Sequence, residues 1–186
     1  LLTQALENAR SKATSDAKGR YLVPLAQLTG LQARELTTAG HTSEAVELLD
    51  SEFKALQATM ESPDSGEQAL LAGAQLLQTI QTLNRNADAT TADSRQDALE
   101  DLFAKGLTTH PESTAIAAEF VRFRTATAGK IYRDQPEAAR KILNDTRDLI
   151  EKTEIAKAPP VVAALVMIKP MERRIETAIL HREMIG

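Results

Sequence analysis

Three histidines are the first candidates for chemistry in this chain. His110-Pro111-Glu112 and His181-Arg182-Glu183 both carry the His-x-Glu spacing in which a histidine ligates a catalytic zinc and the glutamate moves protons. That site closes only with a pair of cysteines, and the chain has none. The same absence removes disulfides, thiolate metal sites and thiol nucleophiles. No His-Glu-x-x-His, no Glu-x-x-His and no glycine-rich loop leading into Gly-Lys occurs, so the zinc, di-iron and phosphate-loop patterns have no support. Asp97, Glu100 and Asp101 stand three and four residues apart, a spacing at which two carboxylates share a helix face as acid and base. Acids in the first turns of a helix also complement its dipole without any catalytic partner, and no histidine stands nearby in the sequence to give them work. A Gly-x-Ser-x-Gly elbow is absent, and the glycosylation triplet Asn144-Asp145-Thr146 falls inside a helical pattern. The expectation is therefore no catalytic residue, no metal and no cofactor within these residues.

Recognition has more to work with. Arg122, Arg124, Lys130 and Arg133 make a locally basic segment suited to an acidic peptide or a carboxylate terminus. Gln75 and Gln78, with Gln68 and Gln81 on either side of them, are candidate adaptable contacts. A solvated helix face is the competing reading of both groups. Nucleic acid is not expected as a partner: 22 Lys and Arg against 26 Asp and Glu leave a net charge of −4, and 3% aromatics with no tryptophan cannot build a stacking platform.

These side chains must be positioned by helices. Apolar residues recur at helical intervals from about residue 17 to 180, and eight glycines with seven prolines in 186 residues are few for a turn-rich sheet protein. In 42–60, Ala45, Leu49, Phe53, Leu56 and Met60 form one stripe. In 19–39, Leu22, Leu25, Thr29, Ala33 and Leu36 do the same, with Pro24 placing the true start at 21 or 22 and Gly40 supplying the turn. Asp64 with Glu67 predicts a capping box before a helix carrying Leu70, Leu77, Ile80 and Leu83. Residues 84–91 read as a polar loop, and Asp93 with Gln96 opens a helix to about 107. Ser113 opens another, with Ile116, Phe120, Phe123, Thr127 and Ile131 on one face. Asp134 with Glu137 restarts the chain as a helix to about 155. After Ala158-Pro159-Pro160 a last helix is expected over 161–182, apolar on all sides in its first half and kinked at Pro170. Its longest apolar run, 161–168, is well short of the roughly 20 residues of a membrane span.

A repeat lies in this pattern. Glu44-Ala45-Val46-Glu47-Leu48-Leu49, Asp97-Ala98-Leu99-Glu100-Asp101-Leu102 and Glu137-Ala138-Ala139-Arg140-Lys141-Ile142 each read acid, alanine, apolar or small, charged, variable, apolar. An alanine there would let two antiparallel helices approach closely. With Gly40 before the first copy and His110-Pro111 after the second, residues 20–155 resemble the tetratricopeptide repeat family of helical hairpins. The intervals, 45 to 98 and 98 to 138, are longer than the family's roughly 34, and its bulky first-helix aromatic is missing. The fold expected is all-α: an irregular array of three antiparallel hairpins with a C-terminal packing helix. The division expected is 1–18 as an N-terminal helical or poorly ordered segment, 19–158 as the array, and 159–186 as a capping helix and exit to a further domain. The resemblance implies a concave surface lined by the first helix of each pair, the helix bearing Arg122 and Arg124 among them.

The function expected is a non-catalytic helical module that binds a protein or peptide, or another domain of its own polypeptide. The alternatives are a helical region serving a larger enzyme and a purely structural bundle. The first residue is Leu1 rather than methionine, which is expected of a piece cut from a longer chain. The closing Leu180-His181-Arg182-Glu183-Met184-Ile185-Gly186 resembles the approach to the first strand of thioredoxin-like domains. That resemblance implies an exported bacterial protein, periplasmic or extracytoplasmic, with its redox cysteines beyond residue 186.

Overall fold

The computed structural model describes residues 2–16, 18–62, 64–83 and 89–185. Every regular element among them is helical and none is a strand, as the 3.6-residue periodicity requires. The chain divides into two compact units, Leu1–Thr109 and His110–Gly186, a boundary inside the segment expected as one array.

The first unit contains α1 (Leu2–Ser15), α2 (Leu22–Thr38), α3 (Thr42–Gln57), α4 (Gly66–Leu83) and α5 (Ala89–Thr109). Helix α4 lies against both α2 and α3, α1 against α2, and α5 against α4. Ala33, Ala45, Leu49, Leu76, Ile80 and Leu99 are fully buried, and each such Leu or Ile contributes about 1.5–3 kcal/mol. The α2–α3 turn is decided locally. Gly40 takes φ +90° and donates to the Thr37 carbonyl, while His41 N–H reaches back to Leu36 at 2.9 Å, the paired bonds of a glycine-closed helix end.

Several expectations change here. The segment expected as helical or poorly ordered carries α1, Leu2–Ser15, whose Leu6 and Ala9 are buried with Leu25, as one of its two readings has it. Helix α4 begins at Gly66, so Ser65 and not Asp64 immediately precedes it. Of the expected loop 84–91, residues 84–88 lie outside the described residues, and 89–91 already belong to α5. The repeat does not keep one packing register: Ala45 is fully buried, whereas Ala98 and Ala138 are only half-buried and Leu99 and Ala139 turn inward instead. A one-residue change rotates the inward face by about 100°, so the three six-residue copies do not make equivalent contacts.

The second unit contains α6 (Thr114–Ile131), α7 (Pro136–Glu151), a 3-10 turn over Glu154–Lys157, α8 (Pro159–Val166) and α9 (Ile168–Ile185). Helix α6 packs on α7 and α8, and α9 packs chiefly on α7. Ser113 caps α6, its Oγ accepting from the Ile116 N–H at 3.1 Å. No capping box forms at α7: Gln135 precedes it, Pro136 occupies the first turn, and Glu137 pairs with Arg140.

The expected single C-terminal helix is two helices. Pro170 has no N–H to offer the Val166 carbonyl four residues back, and its ring crowds that oxygen, so α8 stops at Val166 and Pro170 sits harmlessly in the first turn of α9. Nor is α8 covered on all sides. Val161 and Ala164 are fully buried, but Val162, Val166 and Met167 are exposed.

Candidate functional site

The candidate site lies wholly in the second unit, where α9 runs past the corner between α6 and α7. The chain turns through residues 132–135, with Asp134 and Gln135 N–H groups donating to the Ile131 carbonyl at 3.0 and 2.8 Å. A turn of this kind leaves outward carbonyls to be satisfied from elsewhere. Arg182 of α9 satisfies two of them: its Nη2 donates to the Arg133 oxygen at 3.0 Å and to the Asp134 oxygen at 2.6 Å. Arg133 is held from the other side, its Nε donating to the Tyr132 hydroxyl at 3.1 Å and its guanidinium lying 5.8 Å from that ring's centre. The phenol oxygen, with Asp134 nearby, holds the Arg133 guanidinium above its already high ordinary value, so it is a permanent cation.

On α9, Arg174, Thr177, Ala178, His181 and Arg182 fall at steps of three, one, three and one, which is one face of a helix. Ile168 and Ile175, both fully buried, stand at seven-residue intervals before Arg182 and so border that face, and their burial holds the cationic row beside the corner. With Tyr132 and Arg133 these residues line a cleft of about 450 Å³. The described lining holds three guanidiniums, an imidazole and two hydroxyl groups, and no carboxylate side chain.

Three other arginines of this unit are paired with carboxylates. Arg122 pairs with Glu119, Arg140 with Glu137, and Arg147 with Glu172. Arg133 and Arg182 are instead anchored by neutral oxygens, a phenol and two peptide carbonyls, which fix position without cancelling charge. The unit as a whole carries thirteen Lys and Arg against eleven Asp and Glu, opposite in sign to the chain's net −4. What the arrangement can do is bind an anion through charge-assisted hydrogen bonds.

The four expected basic residues do not converge. Arg122 and Arg124 point about 200° apart around α6. Arg124 is half-buried, its Nε donating to Thr146 of α7 at 3.4 Å and its guanidinium 6.0 Å from the Phe120 ring. Lys130 is exposed near the end of α6, and Arg133 alone lines the cleft. Gln75 and Gln78 are half-buried on α4 in the first unit, where Gln81 donates to Gln96 of α5 at 3.4 Å. Arg174, His181 and Arg182 were missed by reading along the sequence. Their signal is the stripe at 174, 177, 178, 181 and 182, which reading 161–182 as a single kinked helix obscured. Among the described residues no group of three His, Asp or Glu side chains is placed to hold a metal, and no helix is long and apolar enough to cross a membrane. No protein-family model, no curated protein and no solved structure matches this chain.

Proposed function

We propose that this chain is a non-catalytic helical interaction module whose second unit takes an acidic segment of a protein partner into the cleft beside α9. The observation that carries the reading is the excess of positive charge in the lining. Three arginines and a histidine surround one concavity, two of the arginines are held by neutral oxygens, and no carboxylate side chain among the lining residues offsets them. Guanidiniums already held in place lose little side-chain freedom on binding, which leaves more of each hydrogen bond to affinity. The adjacent helices α6 and α7, joined by a short turn, give the rigid support that such a groove needs.

The test is a fluorescence-anisotropy titration of a labelled hexaglutamate peptide, with hexalysine as the control. Saturable binding of the first alone is expected, weakening as salt is raised because exposed charge pairs are screened over about 10 Å at 0.1 M. Arg174→Glu should abolish it. Equal binding of both peptides, or none of either, would overturn the reading.

A further inference from the structure

We infer that the group this cleft recognises is a phosphate monoester, carried on a peptide side chain or on a small metabolite. This rests on the cationic-cleft reading above and sharpens it from acidic ligands in general to one oxyanion.

Charge and donor count distinguish the two. A lone carboxylate brings one negative charge and one two-oxygen edge, which a single arginine fork saturates. Seated here, it would leave two of Arg133, Arg174 and Arg182 without a counter-charge. A phosphate monoester carries about −1.5 to −2 at neutral pH and three strong acceptor oxygens, so it can engage two or three guanidiniums together.

Anchoring points the same way. The Arg133 Nε is spent on the Tyr132 hydroxyl, which leaves its two terminal nitrogens as a fork. The Arg182 Nη2 is spent on the Arg133 and Asp134 carbonyls, which leaves Nη1 and Nε. Arg174 forms no ion pair among the described residues, and His181 adds a further nitrogen to the lining. Asp134 is the adjacent acid; its backbone carbonyl is taken by Arg182, and its side chain is not part of the lining. A space of about 450 Å³ is several times larger than a phosphoryl group needs, so room remains for the organic part that carries it.

The full chain is titrated with four probes: a hexapeptide bearing one phosphoserine among uncharged residues, the same peptide with serine, the same peptide with glutamate, and glycerol 3-phosphate. The phosphoserine peptide should bind about tenfold or more tighter than the glutamate version, as expected when further charge-assisted bonds form. Arg174→Gln and Arg133→Gln should each weaken it about tenfold, while Arg122→Gln, outside the cleft, should leave it unchanged. Tighter binding of glycerol 3-phosphate than of the phosphopeptide assigns a metabolite source, and the reverse order assigns a peptide; either supports the inference. Equal affinity for the phosphoserine and glutamate peptides overturns it and leaves the cationic reading standing. No binding of any of the four probes or of hexaglutamate overturns both. Wild-type affinity in the two cleft variants, with their helical circular dichroism intact, also overturns it.

Discussion

Arg147 of α7 and Glu172 of α9 meet through one contact, Nη2 to Oε1 at 2.5 Å, with the two side chains 32% and 26% exposed. It ties α9 to α7 one helical turn after the α8–α9 break, and so helps hold the cationic face of α9 at the corner. Partial burial shields the pair from solvent, yet both groups still touch water. Glu172→Ala should lower stability by about 1 kcal/mol, and a double-mutant cycle with Arg147→Ala should return a coupling of similar size that shrinks in high salt. Additive effects of the two variants would show that the contact contributes nothing.

Two glycines of the first unit should respond in opposite directions to alanine. Gly19 has φ +66°, and a Cβ there would lie 2.8 Å from the Ser65 Cβ and 3.3 Å from its Cα. Gly30 sits inside α2, where a Cβ would meet Thr79 at ordinary distances of 3.6 and 3.7 Å. Gly19→Ala should destabilise by roughly 1–2 kcal/mol or more, through backbone strain and the clash. Gly30→Ala should stabilise by about 0.5–1 kcal/mol, because alanine loses less backbone entropy in a helix. Urea midpoints of the two variants check both signs.

The alanines of the repeat offer a second pair. Ala45 is fully buried and Ala98 half-buried. Ala45→Leu should cost about 1–3 kcal/mol by overpacking, and Ala98→Leu clearly less. Equal losses would mean that the two sites pack alike, as the repeat pattern had suggested.

Acid should weaken the first unit through two identifiable carboxylates. Glu61 accepts from Lys105 Nζ at 2.9 Å, and this ammonium holds its carboxyl below the ordinary value. Asp16 is held low by the Arg20 side chain and, further, by the Arg20 N–H, which donates to it at 2.7 Å. A carboxyl whose folded value lies below its unfolded one adds stability above the unfolded value and loses it as pH falls through the folded one. The urea midpoint should therefore fall below about pH 4, and Asp16→Asn combined with Glu61→Gln should flatten that fall. A variant curve parallel to wild type from pH 7 to 3 would contradict the assignment.

Helix class, and most helix positions, could be read along the chain because they depend on groups within one or two turns of each other. The Ser113 cap needs only the Ile116 N–H, the α2 stop needs only Gly40 and the carbonyls of Leu36 and Thr37, and the α8 stop needs only Pro170 and the Val166 oxygen. The inward register of Ala98 against Leu99 was not readable, since both stand beside apolar neighbours at helical spacing and the choice depends on how α4 and α5 pack. The cleft was hidden for a stronger reason. A row of basic residues at 174, 181 and 182 looks the same whether water or another chain segment faces it. It becomes a site because packing of α9 on α7 brings the 132–135 turn against that row, and the peptide carbonyls of Arg133 and Asp134, which no residue type encodes, fix Arg182 in place.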